Sequence, residues 1–212
     1  MTTLPFGSAR FRHTLVAALA ACALALAGCQ GATPGGAETT TAATPTATPT
    51  PTPTPTAVYK PADAQGKAQN VPVPVKPPLA DENSKAGLEA FVGYWFALLN
   101  YGYETGNPAS WEQLTKPGCT FCDNVKSAIA TGYKTDRWQV GGRISTPSVE
   151  ARMVEGAPTQ QVVVQVNQES IEFYKADGSV GRTPEAGSST ASVVIASFED
   201  GTWIVSDMHL LQ

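Results

Sequence analysis

Histidine is nearly absent from this chain: of 212 residues only His13 and His209 are histidine. Cysteine is almost as scarce, with four, and basic residues are outnumbered, 14 Lys plus Arg against 18 Asp plus Glu. The first two shortages leave a poor ligand set for a structural zinc site, which takes about four sulfur or imidazole donors. The deficit of positive charge argues against a nucleic-acid partner, which requires a basic footprint, and against electrostatic attraction to an anionic bilayer. The sequence holds no serine-histidine-acid triad, phosphate loop or nucleotide motif. A run long enough to span a membrane permanently is also missing: Leu15 to Leu26 is unbroken and apolar but too short to cross a ~30 Å hydrocarbon core.

What that short run does carry is an export signal. Arg10, Arg12 and His13 precede it as a positive n-region, and small residues follow it. Leu26-Ala27-Gly28-Cys29 resembles the bacterial lipobox. The resemblance implies that residues 1–28 are a lipoprotein signal peptide and that Cys29, lipidated, becomes the mature N-terminus and attaches the protein to the membrane. The plainer alternative is an ordinary signal peptide cut near Ala27, with Cys29 an idle thiol. Removal of residues 1–28 takes away Arg10 and Arg12 and no acid, leaving 12 basic against 18 acidic residues and a net charge of −6.

Residues 29–57 contain little to bury. Thr44 to Thr56 ends the stretch in a Thr-Pro alternation, and proline at every second position removes backbone donors and holds φ near −65°. The expected form is a disordered, extended tether with a reach of at most roughly 80 Å at ~3.1 Å per residue. Residues 58–79 alternate proline with β-branched residues, as in Asn70-Val71-Pro72-Val73-Pro74-Val75, and predict an extended arm lying on the surface of the domain that follows.

Residues 80–212 form that domain, long enough for one core. Leu88, Phe91, Val92, Trp95, Leu98, Leu99 and Tyr103 recur at helical spacing and predict a long helix over 81–103. A short helix with Asn107 as cap buries Trp111 and Leu114, and a third begins near Thr120, buries Val125 and Ile129 and stops at Gly132. The period then falls to two, predicting strands over 137–144, 149–154, 160–174, 190–198 and 202–210. Gly141-Gly142 suggests a bulge and Asp200-Gly201 a type I′ hairpin turn. Helices first and a meander afterwards give an α+β domain, with N-terminal helices packed on a curved antiparallel sheet.

That order, ending in Glu199-Asp200-Gly201-Thr202-Trp203-Ile204-Val205, resembles the nuclear-transport-factor-2-like (SnoaL-like) cone fold. Tyr59-Lys60-Pro61-Ala62-Asp63, Asn70-Val71-Pro72-Val73-Pro74, Gly87-Leu88-Glu89-Ala90-Phe91 and Cys119-Thr120-Phe121-Cys122 resemble a family of actinobacterial lipoproteins of unknown function. The resemblance implies location and fold and supplies no catalytic residues.

Three chemistries are open to Cys119 and Cys122: a structural disulfide, the default for an isolated pair in an exported protein, a redox-active pair, or half of a metal site. Asp207 and His209 lie two residues apart on the last strand in phase with Trp203 and Val205, and are candidates for an acid–base pair if that face lines a cavity; in the competing phase Ile204, Met208 and Leu210 face the core and the pair is merely solvated. Tyr94, Trp95 and Tyr101 on the long helix are candidates for a pocket wall. The leading expectation is a non-enzymatic, lipid-anchored domain that binds an envelope or cell-wall protein or a small apolar ligand, without cofactor or metal. The alternatives are a cone-fold enzyme on a small apolar carbonyl compound and an extracytoplasmic thiol–disulfide protein.

Overall fold

The computed structural model describes residues 57–211. The expected signal peptide, Cys29 and the expected tether up to residue 56 lie outside the described residues. A single 3-10 turn, Pro78–Asp81, leads into α1 (Lys85–Thr105). The helix starts four residues after position 81 because Ser84 is its cap: its Oγ accepts from the Gly87 N–H at 3.0 Å. It stops where Gly106 takes φ 74°, a left-handed cap tight against the Tyr133 ring. Between these ends Leu88, Phe91, Val92, Trp95, Leu98 and Leu99 are buried as one stripe. Two shorter helices follow, α2 (Ala109–Glu112) and α3 (Thr120–Gly132).

Seven strands follow: β1 (Trp138–Gly141), β2 (Ile144–Arg152), β3 (Gln160–Gln168), β4 (Ile171–Tyr174), β5 (Val180–Glu185), β6 (Ser188–Glu199) and β7 (Thr202–Leu210). They form two antiparallel sheets, β1-β4-β5 and β2-β3-β6-β7. The predicted strand 160–174 is therefore two strands in different sheets, and β5 is an element that the period-two pattern missed. The break is a corner. Gly141 and Gly142 take φ of 74° and 77°, and an added Cβ at Gly142 would stand 2.5 Å from Gln139 Nε2 and 2.8 Å from Ile171 Cγ1. Pairing continues around the corner, since Gly142 N–H donates to Ser170 O at 2.9 Å and Glu169 N–H to Arg143 O at 3.0 Å. The two sheets thus act as one antiparallel array sharply bent at that corner, with the helices on the face of the larger part: an α+β domain with a curved sheet.

The core lies between α1, α3 and β2-β3-β6-β7, where Val162, Val164, Val194, Ala196, Trp203 and Val205 meet the α1 stripe. Asp200 and Gly201 take φ of 50° and 81° in the β6–β7 hairpin, the mirror-image turn that the strands' twist requires.

The arm is more folded than its proline content implies. Lys60 and Gln69 exchange both backbone hydrogen bonds, as do Asp63 and Gly66, so residues 60–69 form a small hairpin before the proline stretch begins. The hairpin is held by Trp138, whose Nε1 donates to Asp63 O at 2.7 Å. Farther on, Lys76 pairs with Asp81 and donates to Thr202 Oγ1.

Candidate functional site

The last turns of α1 carry an uncommon concentration of polar and aromatic residues: Asn100, Tyr101, Tyr103 and Glu104. They stand at the sheet corner because Asn100 is fixed to it from both sides of its amide. Its Nδ2 donates to Ile144 O and its Oδ1 accepts from Ile144 N–H, each at 2.8 Å. Across from these residues the arm brings up Tyr59, Pro61 and Ala62. Together they enclose a cleft of about 190 Å³, to which the corner adds Arg143 and Glu169. A second hollow of about 270 Å³, between Tyr101 and the proline stretch, shares Tyr59, Asn100, Glu104 and Arg143 with the first. The arm therefore roofs one continuous site.

Its electrostatics follow from the contacts. The Tyr59 hydroxyl donates to Glu104 Oε1. That hydrogen bond, reinforced by burial and by the carboxylate's charge, pushes the Tyr59 pKa up to about 12. Tyr59 is thus a fixed donor at neutral pH and a poor proton acceptor. Burial also raises Tyr103 above the usual phenol value. The arrangement can hold polar groups and orient them.

The candidates read from sequence lie elsewhere, with one exception. Tyr101 edges the second hollow. Tyr94 is half-buried against the core. Trp95 is fully buried in the core, its Nε1 donating to Thr115 Oγ1 at 3.0 Å and its ring 5.1 Å from that of Trp111.

Asp207 and His209 require a correction. Val205 pairs with Ala196 and Asp207 with Ile195, so Ser206 is an extra residue, a bulge that reverses the side-chain phase. Trp203 and Val205 face the core before it and Met208 after it. Asp207 and His209 consequently leave the face they were expected to share with Trp203 and Val205. Their Nε2–Oδ2 separation is 3.4 Å, with the imidazole 55 % exposed. Three inter-strand spacings, about 14 Å, separate β7 from β2. The structure does not bring this pair to the tyrosines of α1.

Cys119 and Cys122 are joined as a disulfide. Both are buried in the core cluster, and Cys119 Sγ also caps α3 by accepting from Cys122 N–H at 3.2 Å. Among the described residues no three His, Cys, Asp or Glu side chains gather as a metal site, and no helix is long and apolar enough to cross a membrane.

Sequence reasoning missed Tyr59, Asn100, Glu104, Arg143 and Glu169. The available signals were a polar residue one position after the buried Leu98-Leu99 pair, and a glycine pair immediately before an arginine.

Residues 57–209 match the family model described as a family of unknown function (DUF6318), and the chain belongs to that family. No curated protein matches it. Among solved structures, the intermembrane space region of chloroplast protein ARC6 is similar at TM-score 0.44 and 6% identity, over 61% of this chain and 98% of that one. An uncharacterised protein with a cystatin-like fold from Caulobacter vibrioides is similar at TM-score 0.38 and 16% identity, over 59% and 87%. CagV of Helicobacter pylori, a VirB8 homologue of a type IV secretion system, is similar at TM-score 0.38 and 13% identity, over 60% and 100%. These likenesses are loose, and the fold stands on the chain's own elements.

Proposed function

We propose that this member of the DUF6318 family is a lipid-anchored extracytoplasmic lipoprotein whose folded domain binds a small ligand without chemical turnover, in the arm-roofed cleft at the end of α1. The observation that carries the reading is the cleft itself. It is a concave site where Tyr59, Arg143 and Glu169 converge from three separate elements, while the sole histidine of the described residues lies on the far edge strand. Concave sites with a few convergent polar groups are the usual place for ligands. A disulfide persists in an oxidising compartment, which supports the extracytoplasmic location. The leader and the lipobox-like Leu26-Ala27-Gly28-Cys29 support the anchor.

Two experiments test this. A fragment screen by protein-observed NMR on the full chain in detergent should gather its shifts on Tyr59, Tyr103, Arg143 and Glu169. Shifts collecting instead around Asp207 and His209, or in a separate groove of about 580 Å³ lined by Met153, Val154, Phe198 and Trp203, would remove the cleft as the site. Separately, Cys29→Ser should abolish detergent-phase partitioning of the exported protein, because two acyl chains at ~0.8 kcal/mol per buried methylene outweigh reversible attachment. A processed Cys29→Ser protein that still partitions with detergent would remove the anchor.

A further inference from the structure

Arg143 and Glu169 are cross-strand neighbours that do not pair. The register Ile144 opposite Gln168 sets them face to face one step farther on, joined by the Glu169 N–H to Arg143 O hydrogen bond. Opposite charges in that position ordinarily attract and meet. Opposite charges brought near each other by other elements of this domain do meet, as in Lys116–Glu199 and Lys126–Glu112. Arg143 and Glu169 form no ion pair, and neither side chain has a hydrogen-bond partner among the described residues, yet both line the 190 Å³ cleft.

We propose that the cleft takes a small zwitterion, an α-amino acid or dipeptide, with Arg143 receiving its carboxylate and Glu169 its ammonium. This rests on the reading of the cleft as the binding site. A simple anion would meet Arg143 but face two carboxylates, Glu169 and Glu104. A simple cation would meet Glu169 but face the guanidinium. A ligand with both charges satisfies both groups, and the planar guanidinium suits a carboxylate bidentately. Glu104 is already engaged by the Tyr59 hydroxyl, so Glu169 is the free acceptor. Pro61, Ala62 and the Tyr103 ring supply an apolar wall for a short side chain. The cleft of about 190 Å³ has room for an amino acid or a short dipeptide, and the adjoining hollow of about 270 Å³ leaves space for a side chain to extend.

The test uses the full chain in detergent with three probes: alanyl-alanine, its N-acetyl derivative and its C-terminal amide. Alanyl-alanine should shift the Tyr59, Tyr103 and Arg143 resonances. Each blocked form should bind roughly tenfold or more weakly, the scale of one lost charge-assisted hydrogen bond. Arg143→Gln should erase the preference for the free carboxylate and Glu169→Gln the preference for the free amine. Both are exposed, so folding is retained, which the unchanged amide spectrum away from the cleft checks. Equal binding of the three probes overturns the ligand class. So does a cleft that holds screening fragments while none of the three displaces them. Fragments that avoid the cleft overturn the site on which the class depends.

Discussion

Asn100 completes the backbone of Ile144. A side-chain amide of α1 supplies both a donor and an acceptor to the first residue of edge strand β2, as a neighbouring strand would. Near the other end of the same strand Glu89 accepts from the Ala151 N–H at 3.0 Å. The long helix therefore covers the exposed edge of the sheet at two points as well as packing against its face. The first of those points fixes the corner that builds the cleft.

Asn100→Ala should therefore cost more than an ordinary half-buried polar residue. It strands an N–H and a C=O on Ile144, which is 7% exposed, at about 1–3 kcal/mol for each unsatisfied group. Urea unfolding should show a lower midpoint, with slope unchanged. A loss below about 0.5 kcal/mol would mean that water replaces the amide without penalty.

Gly142→Ala tests the corner itself. The residue must hold φ 77° while its new Cβ meets Gln139 and Ile171. Left-handed strain and overpacking each cost roughly 1–3 kcal/mol. The melting temperature should fall by several degrees, and amide shifts should move in β1, β4 and the start of β2. Shifts confined to residues 141–143 would show that the corner absorbs the methyl group.

Replacing Cys119 and Cys122 together by Ser should lower the melting temperature by a few degrees. The loop closed by the bond spans four residues, so the loop-entropy estimate is only ~2 kcal/mol. Alkylation and intact mass of the exported protein should show no free thiol in the pair before reduction. Rapid insulin reduction by the native protein would favour the thiol–disulfide alternative.

Tyr59 predicts an alkaline effect with a definite sign. Its folded pKa is raised to about 12, so the folded state keeps the proton while the unfolded chain loses it near the ordinary value of 10. The stabilisation by Tyr59 is complete below pH 10 and is lost as pH climbs toward 12. Tyr59→Phe lacks it throughout. Its stability deficit against the native protein should be constant from pH 7 to about 10 and shrink above, measured by chemical unfolding. A deficit that grows above pH 10 would contradict the Tyr59–Glu104 contact.

Much of the scaffold is legible from residue order. The helical stripe from Leu88 to Leu99 fixes α1 because no other periodicity buries those side chains together. Asp200-Gly201 fixes the last hairpin because few other pairs accept two positive φ angles in succession. The proposed export signal and the cysteine that follows it likewise rest on local sequence alone. Tertiary structure alone decided the rest. The division of residues 160–174 between two sheets depends on Gly141 and Gly142, which face Ile171 and Ser170 across the pairing but stand about thirty residues earlier in sequence. The phase of Asp207 and His209 depends on a bulge at Ser206, and a single extra residue turns every later side chain to the other face. The cleft joins Tyr59, Asn100, Arg143 and Glu169, which share no periodicity. Only the bend of the sheet and the return of the arm bring them together, because contacts between distant segments are set by packing and leave no local pattern to read.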